Sequence, residues 1–535
     1  MKHTFYNNIQ NFTFDLKKNK VFLDIIFFMI IFAKNGNIYI NKYNNMDIHI
    51  DSLLLTGSVL FLVSLIATKA GTRFGVPILL LFLGVGMAFG TSGAGIQFEN
   101  YNMAQTIGTI ALCIILFSGG LDTSYREIKP IALQGATLAT LGVFLTAMFS
   151  GVFIYYAVNF WFPYLSIGLL EALLLASVMS STDSASVFAI LRGKGVSLKN
   201  NLKPTLELES GSNDPMAYMM TVVLIQLITS GQQEAAAYGQ AVLSFFMQFI
   251  IGVSAGYGLG KVAVWLINKI KLDNNSFYPI LLITCGIFIF SATDIIKGNG
   301  FLAVYLAGLV IGNSKFAHKR LSLRVFDGMT WISQIILFLS LGLLVNPFEL
   351  LPVALVSLTI GAFMIIGARP LSVFISLLPF RKTPVRDKIF LSWVGLKGAV
   401  PILFAIFPLV AGLEKEMAQF IFNVVFFITL MSLLLQGTTI TQIAKMLNLS
   451  DIPKKGKFKY FEMEFDEDIK YVTEIELTDD WFKKGNLLKN IPLPEHTHVL
   501  VVKREDGKYL LPKKNMLLTK SDKLMIITTD ADGLL

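Results

Sequence analysis

The sequence is poor in charge. Of its 535 residues only 15% are charged, whereas 54% are hydrophobic, and the mean hydropathy is +0.63. A typical soluble protein has about a quarter of its residues charged. This shortage excludes a soluble globular protein for most of the chain and places the bulk of it in lipid.

Motifs that define several other classes of membrane protein are also missing. The sequence has no GxxxxGK[ST] phosphate-binding loop and no TVGYG filter, which argues against an ATP-driven pump and a potassium channel. The two cysteines, Cys113 and Cys285, form no CxxC pair and have no nearby histidine, so they indicate packing rather than a metal site. Because no nucleophile–base pair lies in the apolar part, we predict neither a lipid-modifying enzyme nor a cofactor.

The chain instead contains a series of apolar runs. A helix needs about 20 apolar residues to span the hydrocarbon core of a bilayer. The eighth and ninth runs are joined only by KGNG, and the ninth is short. We predict thirteen spans, at residues 52–68, 76–91, 105–121, 131–158, 165–190, 205–229, 239–267, 277–296, 300–312, 327–346, 350–379, 388–411 and 417–446.

The formal charge of +9 indicates topology rather than a nucleic-acid partner. Basic loops such as RGKGVSLKNNLK and FRKTPVRDK alternate with loops such as TSGAGIQFENYNMA and SGQQEAAAY, which are poor in Lys and Arg. Positive loops stay on the inner side, so the basic set is predicted to be cytoplasmic, as is everything after Met446. We therefore predict a multi-pass protein of the bacterial cytoplasmic (inner) membrane, surrounded by membrane lipid.

The two ends of the chain differ from its apolar middle. Residues 1–50 form an N-terminal extension that is signal-like, although translation could instead begin at Met46. Residues 51–448 form the transmembrane domain. Residues 449–535 are charged and predict a small cytoplasmic α+β domain with strands at KFKYFEMEF, YVTEIEL and DKLMIITT, a short capped helix at TDDWFKKGNLLKNI and a hairpin around Asp506-Gly507.

A few charged side chains fall inside or at the ends of predicted spans. A charge at membrane depth costs about 2.5–3.5 kcal/mol on insertion scales, so such residues face the bundle interior and mark ion paths. We interpret Glu207 as a solvated charge near a helix start and expect Glu209 to pair with Arg369, the best intramembrane cation available. The candidates are Asp183, Glu207, Glu209, Asp214, Asp294, Arg369 and Lys397.

Two spans carry features that interrupt a helix. The centre of the fifth, SSTDS, holds hydroxyl side chains and Asp183, and local unwinding there would free backbone carbonyls for a monovalent cation. The twelfth contains Gly395, Gly398 and Pro401, which could also serve packing alone. A split of six, one and six spans makes these two equivalent members of inverted-topology halves. The predicted fold is an all-α polytopic membrane protein with broken helices crossing at the midplane, plus the α+β domain.

The stretch LELESGSNDPMA in the sixth span places several carboxylates close together. On a helix Asp214 lies about 140° round from Glu209, so the two side chains face different surroundings. Pro215 lacks an N–H and loosens the turn at Asp214. Desolvation disfavours the charged form of a carboxylate, so a buried Asp214 could exchange a proton for a cation near neutral pH.

SSTDSASVF, LELESGSNDPMA, GARPLSVF and SWVGLKGAVPILFAIFPLVAGL together resemble the NhaP-type cation/proton antiporters, particularly their potassium/proton branch. The resemblance covers about residues 50–450, and the C-terminal part resembles the RCK/TrkA C-terminal regulatory domains. It implies a homodimer that exchanges K+ or Na+ for H+ electroneutrally by alternating access, with an unknown small ligand at the C-terminal domain. Asp214 would bind cation and proton, supported by Asn213, with Thr182, Asp183 and Ser210 completing the site and Glu209–Arg369 a structural pair.

Two positions depart from the family pattern. Lys397 stands in GLKGA where the family usually has an arginine, and an ammonium cannot reproduce the fork of a guanidinium. Ser118 stands where many relatives have an acidic residue before the paired glycines of the third span. A different function also stays open, namely a ligand-gated monovalent cation channel or efflux pathway controlled by the C-terminal domain. The sequence leaves the choice between K+ and Na+ open.

Overall fold

The computed structural model describes residues 50–74, 77–231 and 235–451, and in the C-terminal part residues 459–465, 468–477, 479–482, 485–491, 493, 497–505 and 508–528. The predicted N-terminal extension, except its last residue, and the predicted turn at Asp506-Gly507 lie outside the described residues. The chain forms two compact units, Met1–Asp451 and Ile452–Leu535.

The first unit is helical. Within its described residues, helices occupy all thirteen predicted spans, and the fifth and twelfth are each split into two helices. The helices are α1 Ile50–Phe74, α2 Ile78–Phe89, α3 Tyr101–Asp122, α4 Tyr125–Trp161, α5 Leu169–Val178, α6 Ser184–Gly193, α7 Leu202–Ser230, α8 Ala235–Lys269, α9 Phe277–Ile295, α10 Gly300–Gly312, α11 Lys319–Leu344, α12 Pro347–Ser376, α13 Val385–Trp393, α14 Ala399–Val410 and α15 Lys415–Met446. In the part of the chain that the structure describes, seven of them are long and apolar enough to cross a membrane by length and composition, namely α3, α4, α8, α9, α11, α12 and α15.

These helices pack as two groups. Helices α2, α3 and α8 to α11 pack mainly on one another, and α4, α5, α7, α12 and α15 form the second group. Small residues allow close approach inside a group, because a Cβ atom added at Gly86 of α2 would lie 2.8 Å from the Cα atom of Gly342 in α11. Helix α7 also contacts α8 and α10, so it lies at the boundary between the groups.

Side chains cap the starts of α3 and α10. The first amide groups of a helix have no partner inside it, so nearby side chains accept their hydrogen bonds. Asn100 caps α3 by accepting from the amide of Met103 at 3.0 Å. Asn299 caps α10 in the same way through the amide of Leu302, and its own amide group donates to the carbonyl of Pro215 at 2.8 Å.

The strands of the described residues are β1 Ser197–Leu198, β2 Ser450–Asp451, β3 Lys459–Phe465, β4 Asp468–Glu476, β5 Thr497–Lys503, β6 Tyr509–Leu510 and β7 Lys523–Thr528. In the first unit β1 pairs with β2. The described residues of the second unit form a five-stranded antiparallel sheet in the order β3-β4-β7-β5-β6. Its core includes Ile475, Val502, Leu524 and Ile526, all fully buried.

One local prediction in the second unit is wrong. The segment TDDWFKKGNLLKNI does not form one capped helix; its described residues contain the 3-10 turns Asp479–Phe482 and Leu488–Asn490. Gly485 lies between them with a φ of 109°, a conformation that ends helical structure and suits glycine. The chain then pairs Leu487 with Leu517, which ties the segment to the body of the unit rather than to a helix.

Candidate functional site

The candidate site lies where the fifth and twelfth spans are interrupted. Helix α5 ends at Val178 and α6 begins at Ser184, while α13 ends at Trp393 and α14 begins at Ala399. The two non-helical segments touch, because the amide of Asp183 donates to the carbonyl of Leu396 at 2.8 Å. The first break therefore meets the second, as in the predicted pair of broken helices.

Polar side chains satisfy the carbonyl groups that the first break releases. The ammonium of Lys397 donates to the carbonyl of Ser181 at 2.9 Å. The hydroxyl of Ser210, on α7, donates to the carbonyl of Thr182 at 2.9 Å. Since unpaired backbone groups are costly away from water, these contacts explain how the break persists in the bundle interior.

Asp214 lies on α7 beside this break. The residue is only 7% exposed, and one carboxylate oxygen accepts from the hydroxyl of Ser181 at 2.6 Å. Pro215 follows it, and the carbonyl of Pro215 accepts from Asn299 at 2.8 Å. A buried carboxylate is thus held by one neutral hydroxyl, and no Lys or Arg in the described residues lies within ion-pair distance of it.

Asn213 supplies a second oxygen to the same place. Its amide nitrogen donates to the hydroxyl oxygen of Thr182 at 2.5 Å. Its carbonyl oxygen is buried and has no hydrogen-bond partner within the described residues. A buried acceptor left without a donor is costly, and a cation is one group that could satisfy it.

Asp183 has a different environment from Asp214. It is the N-cap of α6, where one oxygen accepts from the amide of Ser186 at 3.0 Å and the other accepts from the hydroxyl of Ser186. Both oxygens are therefore engaged by the start of their own helix, as is usual for an N-cap aspartate. The structure brings Asp183 to the break, but its carboxylate serves the helix start, and its role in cation binding stays a prediction.

Glu209 and Arg369 are in contact in the bundle interior. The residues are 1% and 3% exposed, and a guanidinium nitrogen of Arg369 bonds one oxygen of Glu209. The same nitrogen lies 3.5 Å from the carbonyl of Leu391. Glu207, two residues earlier, instead lies 3.6 Å from Lys203, with side-chain exposures of 27% and 57%. The neighbouring acids of α7 thus occupy different environments.

Lys397 and two residues that sequence reasoning missed complete the surroundings. The amide of Lys397 donates to the hydroxyl of Ser432 at 2.8 Å, and this hydroxyl donates to Gln436 at 2.5 Å. The amide group of Gln436 donates to the carbonyl of Trp393 at 2.7 Å. The available signal was a serine and a glutamine four residues apart in the thirteenth span, which places both on one face. The sequence identifies Ser181 only as one hydroxyl of the SSTDS cluster and does not predict that it donates to Asp214.

The assembled groups suit a monovalent cation. Carboxylate, amide and carbonyl oxygens are the ligands that hard cations prefer. The carboxylate of Asp214 is the one negative charge among them that is not already bound to a helix start or to a guanidinium. Binding of a monovalent cation or of a proton there would neutralise the charge of this one carboxylate.

Comparisons with known proteins identify the family to which the chain is similar. The family described as "Sodium/hydrogen exchanger, transmembrane" matches residues 58–446. The chain is 40% identical over 488 residues to a protein named K(+)/H(+) antiporter NhaP from Alkalimonas amylolytica, which covers 90% of this chain and 82% of that protein. It is 38% identical over 480 residues to K(+)/H(+) antiporter NhaP2 of Shewanella sp. strain MR-4, covering 89% and 81%.

A solved structure extends the likeness to the fold. The sodium proton antiporter MjNhaP1 from Methanocaldococcus jannaschii superposes with a TM-score of 0.63 at 20% identity, covering 74% of this chain and 99% of that one. At this identity the likeness concerns the fold alone. The family match spans most of the transmembrane unit, and the relatives cover nearly the whole chain. This chain therefore belongs to the sodium/hydrogen exchanger family of membrane proteins.

Proposed function

We propose that this protein is a secondary antiporter that exchanges a monovalent cation for a proton at Asp214. The observation that carries the proposal is the buried Asp214 carboxylate on Ser181 together with its neighbour Asn213 on Thr182, whose carbonyl oxygen has no partner within the described residues. Membership of the family and the names of its relatives support the same activity. Neither the relatives nor the site supports the ligand-gated channel alternative.

The coupling follows from charge. A protonated Asp214 is neutral, and an ionised Asp214 with a monovalent cation beside it is neutral in sum. An ionised and unoccupied carboxylate carries the full cost of a buried charge. The protein should therefore switch readily between its inward-facing and outward-facing states only when Asp214 holds a proton or a cation. This gives exchange of one cation for one proton without net charge movement.

The other site residues have supporting roles in this scheme. Asn213 offers an oxygen to the cation, and Thr182, Asp183 and Ser210 complete the cation site. The same residues also hold the break in the fifth span, because Ser210 donates to the carbonyl of Thr182 and Asp183 caps the start of α6. Glu209 and Arg369 act as a structural pair between α7 and α12, and Lys397 as a tether between the two breaks.

The cargo and the setting of the protein are part of the proposal. The cation is K+ or Na+, and the names of the relatives favour testing K+ first. We place the protein in a bacterial inner membrane as a homodimer, with the basic loops and the C-terminus in the cytoplasm. The boundaries are an extension at 1–50, an exchanger domain at 51–448 and an RCK C-terminal-like regulatory domain at 449–535 that binds a small ligand.

Exchange in proteoliposomes tests the assignment of Asp214. Asp214→Asn should abolish cation-driven proton movement, because an amide can neither release a proton nor carry the charge that balances a cation. Glu207→Gln is the matched control on the same helix and should retain exchange, since Glu207 is partly exposed and paired with Lys203. Both variants should elute as folded protein. Normal exchange by folded Asp214→Asn would overturn the site assignment.

A further inference from the structure

The break in the twelfth span raises a problem that its own residues solve only in part. Between Trp393 and Ala399 the backbone is not helical, and within the segment the amide of Leu396 donates to the carbonyl of Val394 at 2.7 Å, whereas other N–H and C=O groups need partners from elsewhere. One is met by the fifth span, where the carbonyl of Leu396 accepts from the amide of Asp183. Two others are met by a helix that the mechanism above does not use.

That helix is α15, and the partners are Ser432 and Gln436, one turn apart. Ser432 is fully buried and Gln436 is 1% exposed. Gln436 donates to the carbonyl of Trp393 at 2.7 Å and accepts from the hydroxyl of Ser432 at 2.5 Å. The hydroxyl oxygen of Ser432 accepts from the amide of Lys397 at 2.8 Å. The two side chains thus bridge both ends of the break as one hydrogen-bonded unit, the Ser432–Gln436 clip.

The clip is connected to the cation site by two further contacts. The side chain of Lys397 donates to the carbonyl of Ser181 at 2.9 Å. The hydroxyl of Ser181 donates to Asp214 at 2.6 Å. A shift of the Lys397 backbone would therefore move the partner of Ser181, and with it the hydroxyl that holds the Asp214 carboxylate. Small displacements of the side chains that hold a bound ion lower its affinity strongly, because these groups must stay close to their productive geometry.

We propose that Ser432 and Gln436 are positioning residues that set the cation affinity of the Asp214 site by fixing Lys397. They touch neither cation nor proton and act through the break. The inference rests on the proposed antiport function. An alternative is that the clip only holds α13 against α15. The indole of Trp393 also donates to Thr439 of α15 at 3.0 Å, and this contact keeps α13 anchored when the clip is removed.

The test compares the half-saturating cation concentration and the maximal exchange rate in proteoliposomes, for K+ and Na+ separately. The variants are Ser432→Ala, which removes the hydroxyl, and Gln436→Met, which keeps the length of the side chain but not its hydrogen bonds. Thr438→Ala is the matched control, since its hydroxyl bonds only to carbonyls of its own helix at 2.6 and 3.3 Å. Size-exclusion chromatography and thermal unfolding select folded variants.

Each clip variant should raise the half-saturating concentration about tenfold, the equivalent of one buried hydrogen bond, with little change in the maximal rate. The control should match the unmodified protein. The double variant should resemble the worse single variant, because the two residues act as a unit. If one single variant fails to fold, the other single variant keeps the test decisive.

The outcomes separate this inference from the proposed function. If the unmodified protein exchanges cations for protons and folded clip variants keep its half-saturating concentration, the clip inference is wrong. A lower maximal rate with an unchanged half-saturating concentration would also overturn the clip inference, since loss of active protein lowers the maximal rate without changing the affinity. Absence of exchange by the unmodified protein would instead overturn the proposed function.

Discussion

Glu209→Gln removes the negative charge from the buried pair with Arg369. The guanidinium is 3% exposed and bonds Glu209, with a long contact of 3.5 Å to the carbonyl of Leu391. Two of its three nitrogens have no hydrogen-bond partner within the described residues. Glutamine can still accept one hydrogen bond, but it leaves the positive charge without a counter-charge in the bundle interior.

The size of the effect follows from this burial. Removing one partner of a buried ion pair costs about 3–5 kcal/mol, because the remaining charge stays buried and uncompensated. The retained hydrogen bond puts the expectation near the lower end of that range. Glu207 provides the contrast, since its pair with Lys203 is exposed to 27% and 57%, and such surface pairs contribute about 0–1 kcal/mol.

Thermal unfolding in detergent, followed by size-exclusion chromatography, measures both changes. Glu209→Gln should lower the melting temperature by several degrees, and Glu207→Gln should leave it close to that of the unmodified protein. The double variant Glu209→Gln with Arg369→Met should recover part of the loss, because it removes the uncompensated charge. Equal melting temperatures for the two single variants would refute the assignment of a stabilising buried pair.

Three further outcomes are expected. Lowering the pH by one unit should raise the half-saturating cation concentration about tenfold where protons occupy the site, because proton and cation compete for one carboxylate; this is measured by exchange at several pH values. Gly398→Ala should impair exchange in the same assay, because a Cβ atom there would collide with the carboxylate of Asp183. Asp522→Ala should destabilise the C-terminal unit by about 1–3 kcal/mol, since buried Asp522 bonds Arg504 at 2.6 Å; limited proteolysis measures this.

Each of these outcomes has a control or a contradicting result. A half-saturating concentration that ignores pH would show that proton and cation use separate sites. Gly258→Ala should leave exchange intact, because a Cβ atom there has no atom within 4 Å, and equal loss in both glycine variants would contradict the collision argument. Glu474→Gln should barely change proteolysis, since its contact with Lys523 is 3.7 Å long and partly exposed. Unchanged proteolysis of Asp522→Ala would show that Asp522 does not stabilise the C-terminal unit.

Features with a local physical cause could be predicted from the sequence. Apolar length alone predicted the thirteen spans, including the short one that became α10 Gly300–Gly312, because lipid requires helical backbone. The hydroxyl cluster and the Gly and Pro positions predicted the two breaks. The family was also predicted correctly, because ESGSNDP and STDSAS occur together at their usual spacing.

Features that depend on contacts between distant segments were beyond the sequence. Which hydroxyl of SSTDS meets Asp214 depends on how the unwound segment turns, and the structure places Ser181 there. The sequence predicts Asp183 as a cation ligand, which stays a prediction, whereas its contacts as N-cap of α6, with both oxygens accepting from Ser186, were seen only in the structure. The role of Gln436 could not be predicted, because its partner, the carbonyl of Trp393, is available only when the twelfth span is broken.

The most direct test of the account is cation-driven proton movement in proteoliposomes with the membrane voltage clamped. An imposed K+ or Na+ gradient should change the internal pH, the change should persist under the clamp, and folded Asp214→Asn should show none. Persistence under the clamp would show that the pH change is coupled to the cation and is not driven by a membrane voltage, and an equal rate with and without the clamp would show that the exchange moves no net charge. Electrical conductance without a coupled pH change would contradict the central claim and indicate a channel.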